Sequence, residues 1–259
     1  MKTVILCGGL GTRMREETEF KPKPMVDVGG YPILMHIMKT YAHYGFKDFV
    51  LCLGYKGEMI KDFFLRYEEH CNDFTIMLGS KREPVIHHDA HDEQDFRVTL
   101  SDTGPTTLTG GRIKRIEKFI DRGPFFATYG DGLADIDIKK LLEFHKSHKK
   151  LATVTTVRPI SRFGLIEVDE NTGKVVKFAE KPQEKGWMNI GYFVFNREVF
   201  NYLGGDDCVL EQDPLENLAR DGQLVSYRHE GFFFAMDTYR EYKMLNDLWN
   251  SKKAPWKVW

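Results

Sequence analysis

A glycine-rich turn and two proline-flanked lysines hold the first residues in this chain whose types and spacing suggest chemistry. Lys2-Thr3-Val4-Ile5-Leu6-Cys7 runs directly into Gly8-Gly9-Leu10-Gly11-Thr12-Arg13. Glycine admits positive φ and lets a ligand approach the main chain with no Cβ in the way. Such a turn can aim several N–H groups into one concavity, which suits the oxygens of a polyphosphate. Arg13 adds a cation whose fork matches phosphate. Glycines alone would describe any tight strand-to-helix turn. Lys21-Pro22-Lys23-Pro24 changes the balance. Proline bars a helix interior, so these lysines are expected on a stiff, extended segment. Further along, Gly130-Asp131-Gly132 sets a carboxylate at the end of an expected strand, where a ligand-bound metal would sit. Read alone, Asp131 is equally a turn aspartate, and Asp237-Thr238 is equally a cap for the last helix.

These groups need a scaffold, and the hydrophobic periodicity supplies one. Thr3–Cys7 and Asp48–Leu53 read as buried strands, and Ile33, Leu34, Ile37, Met38 and Tyr41 as one face of a helix stopped by Gly45. A second helix is expected from the Gly54–Gly57 turn to about Glu68, a third strand over Phe74–Leu78, and a short strand over Arg97–Leu100. Thr109 is expected to cap a helix through Ile113, Ile116, Phe119 and Ile120. Phe125–Tyr129 is a further buried strand, Ile138–His148 a helix, and Leu151–Val157 a strand. The alternation predicts an α/β fold, with a Rossmann-like, mostly parallel sheet and ligands at the carboxyl ends of its strands. After residue 157 the rhythm changes. Phe163–Val168, Lys174–Phe178 and Ile190–Phe195 follow one another, with Asn171-Thr172-Gly173 as a hairpin turn, so an added antiparallel substrate-binding subregion is expected. Asp213–Arg220 is a helix, Leu224–His229 and Phe232–Met236 are short strands, and Tyr239–Trp249 is the final helix. Residues 1–259 are expected to form a single domain, with 1–150 mainly the parallel-sheet core and 151–259 mainly the added subregion and the last helix.

Composition bounds the function classes. The chain has 259 residues, 42% apolar and 29% charged, with a net charge of −1. That is ample for a large core, and it gives no electrostatic footprint for nucleic acid or an anionic membrane. No apolar run approaches a membrane span, and the stretch before Cys7 is far too short for a secretion signal. The 4 cysteines, Cys7, Cys52, Cys71 and Cys208, are widely spaced, which argues against a disulfide framework or structural zinc and suits a reducing cytoplasm. The charged stretch 80–96 contains His87-His88-Asp89-Ala90-His91-Asp92. Ligands so close in sequence rarely close one coordination sphere, so a solvated, substrate-covering or subunit-contact loop is the expectation there.

Eight short motifs, in order, are GGLGTR (8–13), KPKP (21–24), DTG…TGGR (102–112), YGDG (129–132), RFG (162–164), EKP (180–182), N-x-G (189–191) and MDT (236–238). Their order and spacing resemble those of the sugar-1-phosphate nucleotidyltransferases over essentially the whole chain. The YGDG form, the TGGR segment and Ala254-Pro255-Trp256-Lys257 are most similar to the members that use CTP and α-D-glucose 1-phosphate. The resemblance implies that Leu6, Gly8, Gly9, Gly11 and Thr12 hold the nucleotide, with Arg13 on the triphosphate and Lys23 on the transferred phosphate. It implies that Thr103, Thr109 and Gly110 lie against the cytosine. Asp131 and Asp237 would hold Mg²⁺, and Gly164, Glu180, Lys181, Asn189 and Gly191 would form the sugar-phosphate pocket; Arg13, Lys23 and Asp131 would carry the catalysis. It further implies a homo-oligomer, with Trp256 and Trp259 candidates for an interface, and a place in bacterial surface-polysaccharide synthesis. Two departures stand out: Cys7 where the family has Ala, and Asn189-Ile190-Gly191 where the family pattern is Asn-Gly-Gly.

The physical chemistry agrees with such a reaction. A sugar 1-phosphate has its second pKa at about 6 and is mostly a dianion at neutral pH. It therefore needs no general base, and no catalytic triad is recognisable in the motifs. What it needs is cations, a metal and alignment. Among rivals, a dinucleotide-binding dehydrogenase lacks its third glycine, because position 14 is Met, and its acidic ribose partner. A non-catalytic nucleotide-sugar-binding subunit would be free to lose Arg13, Lys23, Asp131 and Asp237, yet all are present. A uridylyl- or thymidylyltransferase differs only at the base, where cytosine presents an amine in place of a carbonyl.

Overall fold

A computed structural model describes the chain except for residues 10, 12–13, 15–17, 79–85, 89–94, 160–163, 181–182 and 184–185. In chain order the strands are β1 (Lys2–Cys7), β2 (Asp27–Val28), β3 (Tyr31–Pro32), β4 (Asp48–Leu53), β5 (Phe74–Thr75), β6 (Ile86–His87), β7 (Arg97–Asp102), β8 (Phe125–Tyr129) and β9 (Gly132–Ala134). They continue with β10 (Ala152–Val157), β11 (Leu165–Val168), β12 (Val175–Ala179), β13 (Met188–Phe195), β14 (Leu224–Arg228) and β15 (Phe233–Ala235). Seven of them form one sheet in the order β14-β10-β13-β8-β1-β4-β7. β1 pairs in parallel with both β4 and β8, β4 with β7, and β10 with β14. Only β13 runs against its neighbours β8 and β10. The sheet is therefore mostly parallel, as the alternation of strands and helices predicts.

Side-chain alternation explains why the sheet is covered on both faces. Ile5 and Cys7 enter one apolar cluster with Phe49, Leu51, Phe126, Tyr192 and the helix Ile33–His43. Val4 and Leu6 enter the other with Val50, Cys52, Ala127, Phe193 and the helices Thr109–Arg115 and Asp213–Arg220. Near-continuous apolar strands are what a sheet buried on both faces requires. From β1 the chain steps outward through β4 to β7 and then returns to the other side of β1 as β8. A crevice at the carboxyl ends opens where the strand order reverses in this way. At that switch point Gly130 N donates to Leu6 O at 3.0 Å.

The structure departs from the sequence expectations in several places. Phe74–Leu78 is no strand of the sheet: β5 covers only Phe74–Thr75, pairs with β6, and Ile76, Met77 and Leu78 are exposed. With no buried face these apolar residues have nothing to anchor a strand, and β7 takes the place beside β4. Thr109 does not cap its helix. It is the first helical residue after Leu108, and its hydroxyl is used elsewhere. The antiparallel pairing expected after residue 157 is distributed: β11 and β12 form a hairpin outside the main sheet, β13 runs antiparallel within it, and β15 pairs antiparallel with β9, while β14 joins the main sheet in parallel. Trp256 is fully buried within its own chain, its Nε1–H donating to His36 Nδ1 at 3.2 Å, so it is core rather than interface.

Candidate active site

Five of the seven strands of the sheet bring a candidate residue or its neighbour to the same edge. Gly8 follows β1, Gly54 follows β4, Thr103 follows β7 and Gly130-Asp131 follows β8, while Asn189 lies at the start of the antiparallel β13. The crevice between β1 and β8 is the centre of this edge.

Two distant carboxylates meet there because of a small ribbon. β9, just after Asp131, pairs antiparallel with β15, just before Asp237, with Gly132 opposite Ala235. Met236 N donates to Asp131 O at 2.9 Å, closing the ribbon. The Lys23 ammonium then reaches both side chains, 2.6 Å from Asp131 Oδ2 and 2.6 Å from Asp237 Oδ1. Burial alone would lower the Lys23 pKa, but the two carboxylates outweigh it and the pKa is raised. The group is therefore a permanent cation at neutral pH.

The lysine is aimed by its prolines, though not along an extended segment throughout. Pro22 is extended, at φ −66° and ψ 148°, and Lys23–Met25 then makes one turn of 3-10 helix. Proline is tolerated in a first helical turn, where its missing N–H has no intrahelical partner to lose. Pro24 is buried against the backbone at Gly130, which fixes the Lys23 main chain to the switch point. Lys21 points elsewhere, to Asp27 Oδ2 at 2.5 Å in a half-exposed pair. The structure therefore separates the two lysines of the KPKP segment.

Asp237 is not the helix cap. Thr238 takes that role for the helix Tyr239–Asn250, in a capping box with Glu241. Glu241 Oε2 accepts from Thr238 N at 2.9 Å and from Asp237 N at 2.8 Å. The cap and the carboxylate are adjacent residues with different tasks.

The donor set fits a hard divalent cation. Two carboxylate oxygens already converge on one positive group, and Mg²⁺ bound through two carboxylates takes its other ligands from phosphate and water. Among the described residues no group of three or more His, Cys, Asp or Glu side chains is placed to hold a metal alone. Residues 89–92 of the histidine-rich stretch lie outside the described residues.

Beneath the glycine turn sits a residue whose weight the sequence does not reveal. Arg112 is buried, and its Nη1 donates to Leu53 O at 2.9 Å, Thr103 Oγ1 at 2.8 Å and Gly104 O at 2.8 Å. Its Nη2 donates to Gly8 O at 3.1 Å. One guanidinium thus ties together the loops after β1, β4 and β7. Burial lowers its pKa. A Cβ on Gly8 or Gly54 would collide with it, a structural reason for glycine at both. The available signal is a lone arginine on an otherwise apolar helix face with Ile113 and Ile116. Cys7 and Cys52 lie close by as inert thiols: burial pushes Cys7 far up and Cys52 to about 12.

The residues expected around the base are placed near this cluster, with their polar groups already committed. Thr103 is fully buried, and its hydroxyl donates to Leu53 O at 2.7 Å. Thr109 Oγ1 donates to Glu211 at 2.8 Å and accepts from Leu210 N at 2.9 Å. Gly110 packs against Cys208 and Leu210, with no room for a Cβ. Leu6 is buried in the sheet, Gly8 lies above Arg112, Gly9 is exposed and Gly11 has φ +63°. Thr12, Arg13 and Lys181 lie outside the described residues.

On the sugar side the structure makes two local pairs. Gly164 lies against Phe178 and Glu180 at the base of the β11–β12 hairpin. Asn189 Oδ1 accepts from Gly191 N at 2.8 Å. Here β13 bulges, since Val154 pairs with Phe193 but Thr156 with Asn189. Gly191, at φ +76°, lies against the Tyr129 ring, where a Cβ would clash. The bulge falls between the Val154 and Thr156 pairs, at residues 190–192, and Asn189 stays in the ladder opposite Thr156. Ile190 is buried in the core, so the departure from Asn-Gly-Gly falls on a residue packed into the interior.

Comparison with known proteins bears on the whole chain. A family model described as nucleotidyl transferase matches residues 2–219. The glucose-1-phosphate cytidylyltransferase of Salmonella typhimurium (strain LT2) is 48% identical over 261 residues, covering 100% of both chains. The protein of the same description from Salmonella typhi matches equally, at 48% over 100% of both. Among solved structures, HddC from Yersinia pseudotuberculosis superposes with a TM-score of 0.69 at 23% identity, covering 96% of this chain and 99% of that one. That likeness speaks for the fold.

Proposed function

The chain belongs to the nucleotidyl transferase family, and we propose that it transfers a cytidylyl group from CTP to α-D-glucose 1-phosphate, giving CDP-glucose and pyrophosphate. What carries the choice of substrates is the 48% identity to glucose-1-phosphate cytidylyltransferases over the full length.

The reaction asks little of acid–base chemistry. A phosphate oxygen of the sugar dianion attacks the α-phosphorus of CTP, the bond to the β-phosphate oxygen breaks, and pyrophosphate leaves in line. The work is charge neutralisation and alignment. In this reading the turn 8–13 cradles the triphosphate, with Arg13 on its outer charge. Arg112 holds the carbonyls of Gly8, Leu53 and Gly104 turned inward, fixing the loops beneath the nucleotide. Base contacts from Thr103, Thr109 and Gly110 would come through the main chain, because both hydroxyls are engaged. Lys23 meets the transferred phosphate. Gly164, Glu180, Lys181, Asn189 and Gly191 receive the sugar phosphate.

We assign Asp131 and Asp237 to Mg²⁺, which would supply positive charge to the phosphate oxygens. The exposed Leu165, Ile166, Val168, Val175, Val176 and Phe178 favour a homo-oligomer, since a lone two-stranded ribbon is marginally stable in water. Among the described residues no helix is long and apolar enough to cross a membrane, and four cysteines widely spaced along the chain favour a reducing cytoplasm. Provision of CDP-glucose for bacterial surface polysaccharide fits this activity.

The test is pyrophosphate release over a grid of nucleoside triphosphates and sugar 1-phosphates, with Mg²⁺ and with EDTA. CTP with α-D-glucose 1-phosphate should be the best pair, UTP weaker, and EDTA should abolish turnover. A clear preference for dTTP, ATP or GTP would reject the cytidylyl reading and leave the transferase one standing.

A further inference from the structure

We propose that Lys23 is a placeholder for the metal: its ammonium occupies the space between Asp131 and Asp237 in the substrate-free protein, so a divalent cation enters only as Lys23 leaves. The inference rests on the reading of those two aspartates as the metal ligands.

Geometry makes the two occupants exclusive. One Nζ lies 2.6 Å from an oxygen of each carboxylate, and a cation held by both oxygens would occupy the same small volume. Lys23 is also well enclosed, with 13% of its side chain exposed.

Charge favours the exchange only when substrate is present. Two carboxylates with one ammonium leave a single negative charge, partly balanced and already hydrogen-bonded. A bare divalent cation must shed water and expel the lysine to gain that site. A nucleoside triphosphate changes both sides, because its oxygens complete the cation's shell and offer the ammonium a new anionic partner. Metal and nucleotide should therefore bind with positive coupling, and the coupling should run through Lys23.

The local backbone allows such a move without rearrangement. Pro22, the 3-10 turn and the buried Pro24 fix the main chain at Lys23. Only the flexible four-carbon stem has to swing.

The test uses the full chain without nucleotide and Mn²⁺ as the probe metal, with unbound Mn²⁺ read by electron paramagnetic resonance. Lys23→Met should bind Mn²⁺ about tenfold or more tightly than wild type, within the range of ordinary coupling energies. Adding Asp131→Asn should remove that gain. In a parallel thermal melt, Mg²⁺ alone should raise the Tm of Lys23→Met and leave wild type unmoved; Lys23→Gln repeats both measurements should the Met variant fold poorly. Equal affinity in wild type and both Lys23 variants, lost with Asp131→Asn, would overturn the placeholder and keep the metal site. Mn²⁺ binding indifferent to Asp131 in every background would overturn the metal assignment and the inference with it.

Discussion

His36 allows a worked test of how the C-terminal tail is held. It lies buried in the helix Ile33–His43 with Nε2–H donating to Val28 O at 2.8 Å, while Nδ1 accepts from Trp256 Nε1–H at 3.2 Å. Both ring nitrogens are satisfied only in the neutral form. A second proton would set two donors facing each other. Burial, helped by the charges of Lys39 and Lys257, lowers its pKa from 6.5 to about 4. The unfolded chain then binds the proton more readily, so stability is intact above the unfolded pKa. It is lost as pH falls from about 6.5 through 4. The full linkage is about 3 kcal/mol, and between pH 7 and pH 5 the loss should be about 2 kcal/mol. The assay is urea denaturation at both pH values for wild type and His36→Gln. Glutamine keeps a donor and an acceptor without the titration. Other groups shift both proteins alike, so the variant should lose about 2 kcal/mol less than wild type on acidification. Equal losses in the two proteins would refute the account of His36 as a neutral, buried link to the tail.

Two further tests concern the charged centre. Lys23→Ala should lower kcat by about 10²–10³, the scale of a preorganised charge at a transferred phosphate. Lys21→Ala should mainly raise KM, since Lys21 turns away from Asp131 and Asp237 to pair with the half-exposed Asp27; equal steady-state losses would reject the distinction. Thr238→Ala should cost about 1 kcal/mol in a chemical melt with turnover nearly kept. Asp237→Asn should do the reverse, with turnover reduced about 10²-fold or more. Activity retained in Asp237→Asn would remove that carboxylate from the chemistry.

The parts of the fold legible in the sequence are those set by local pattern and strong burial. Lys2–Cys7, Asp48–Leu53 and Phe125–Tyr129 are apolar runs of strand length bounded by turns, and all three lie at the centre of the sheet. Phe74–Leu78 has the same composition, but no face of it is covered. Its failure shows that an apolar run specifies a strand only when partners exist on either side. The antiparallel run after residue 157 was legible from its short turns, since β11 pairs against β12 and β13 runs against both its neighbours. β14, which follows the helix Asp213–Arg220, returns to lie parallel to β10. Arg112 was hard to see as an organiser because three of its four acceptors, on Gly8, Leu53 and Gly104, are carbonyls, and carbonyls leave no trace in residue identity.

Asp237 shows where local reasoning stops. Sequence gives an aspartate and a threonine ahead of a helix, and either can cap. The capping box assigns Thr238 because Glu241 sits at the third helical position, a spacing visible in the sequence. That spacing frees Asp237 from the cap without giving it a task. The task comes from three residue pairs, Phe233 with Ala134, Phe234 with Leu133 and Ala235 with Gly132. Pairs so few and so far apart in sequence carry no periodic signature of their own. They nevertheless set Asp237 beside Asp131 and both within reach of Lys23, a lysine more than a hundred residues from either. The individual charged groups were therefore readable as candidates from the residues, and their convergence came only from the family resemblance, because it depends on a ribbon whose two strands become neighbours only once the sheet has formed. If that is the physical order, shortening the ribbon by deleting the Phe233–Phe234 step would separate the carboxylates while leaving β1, β4 and β8 paired.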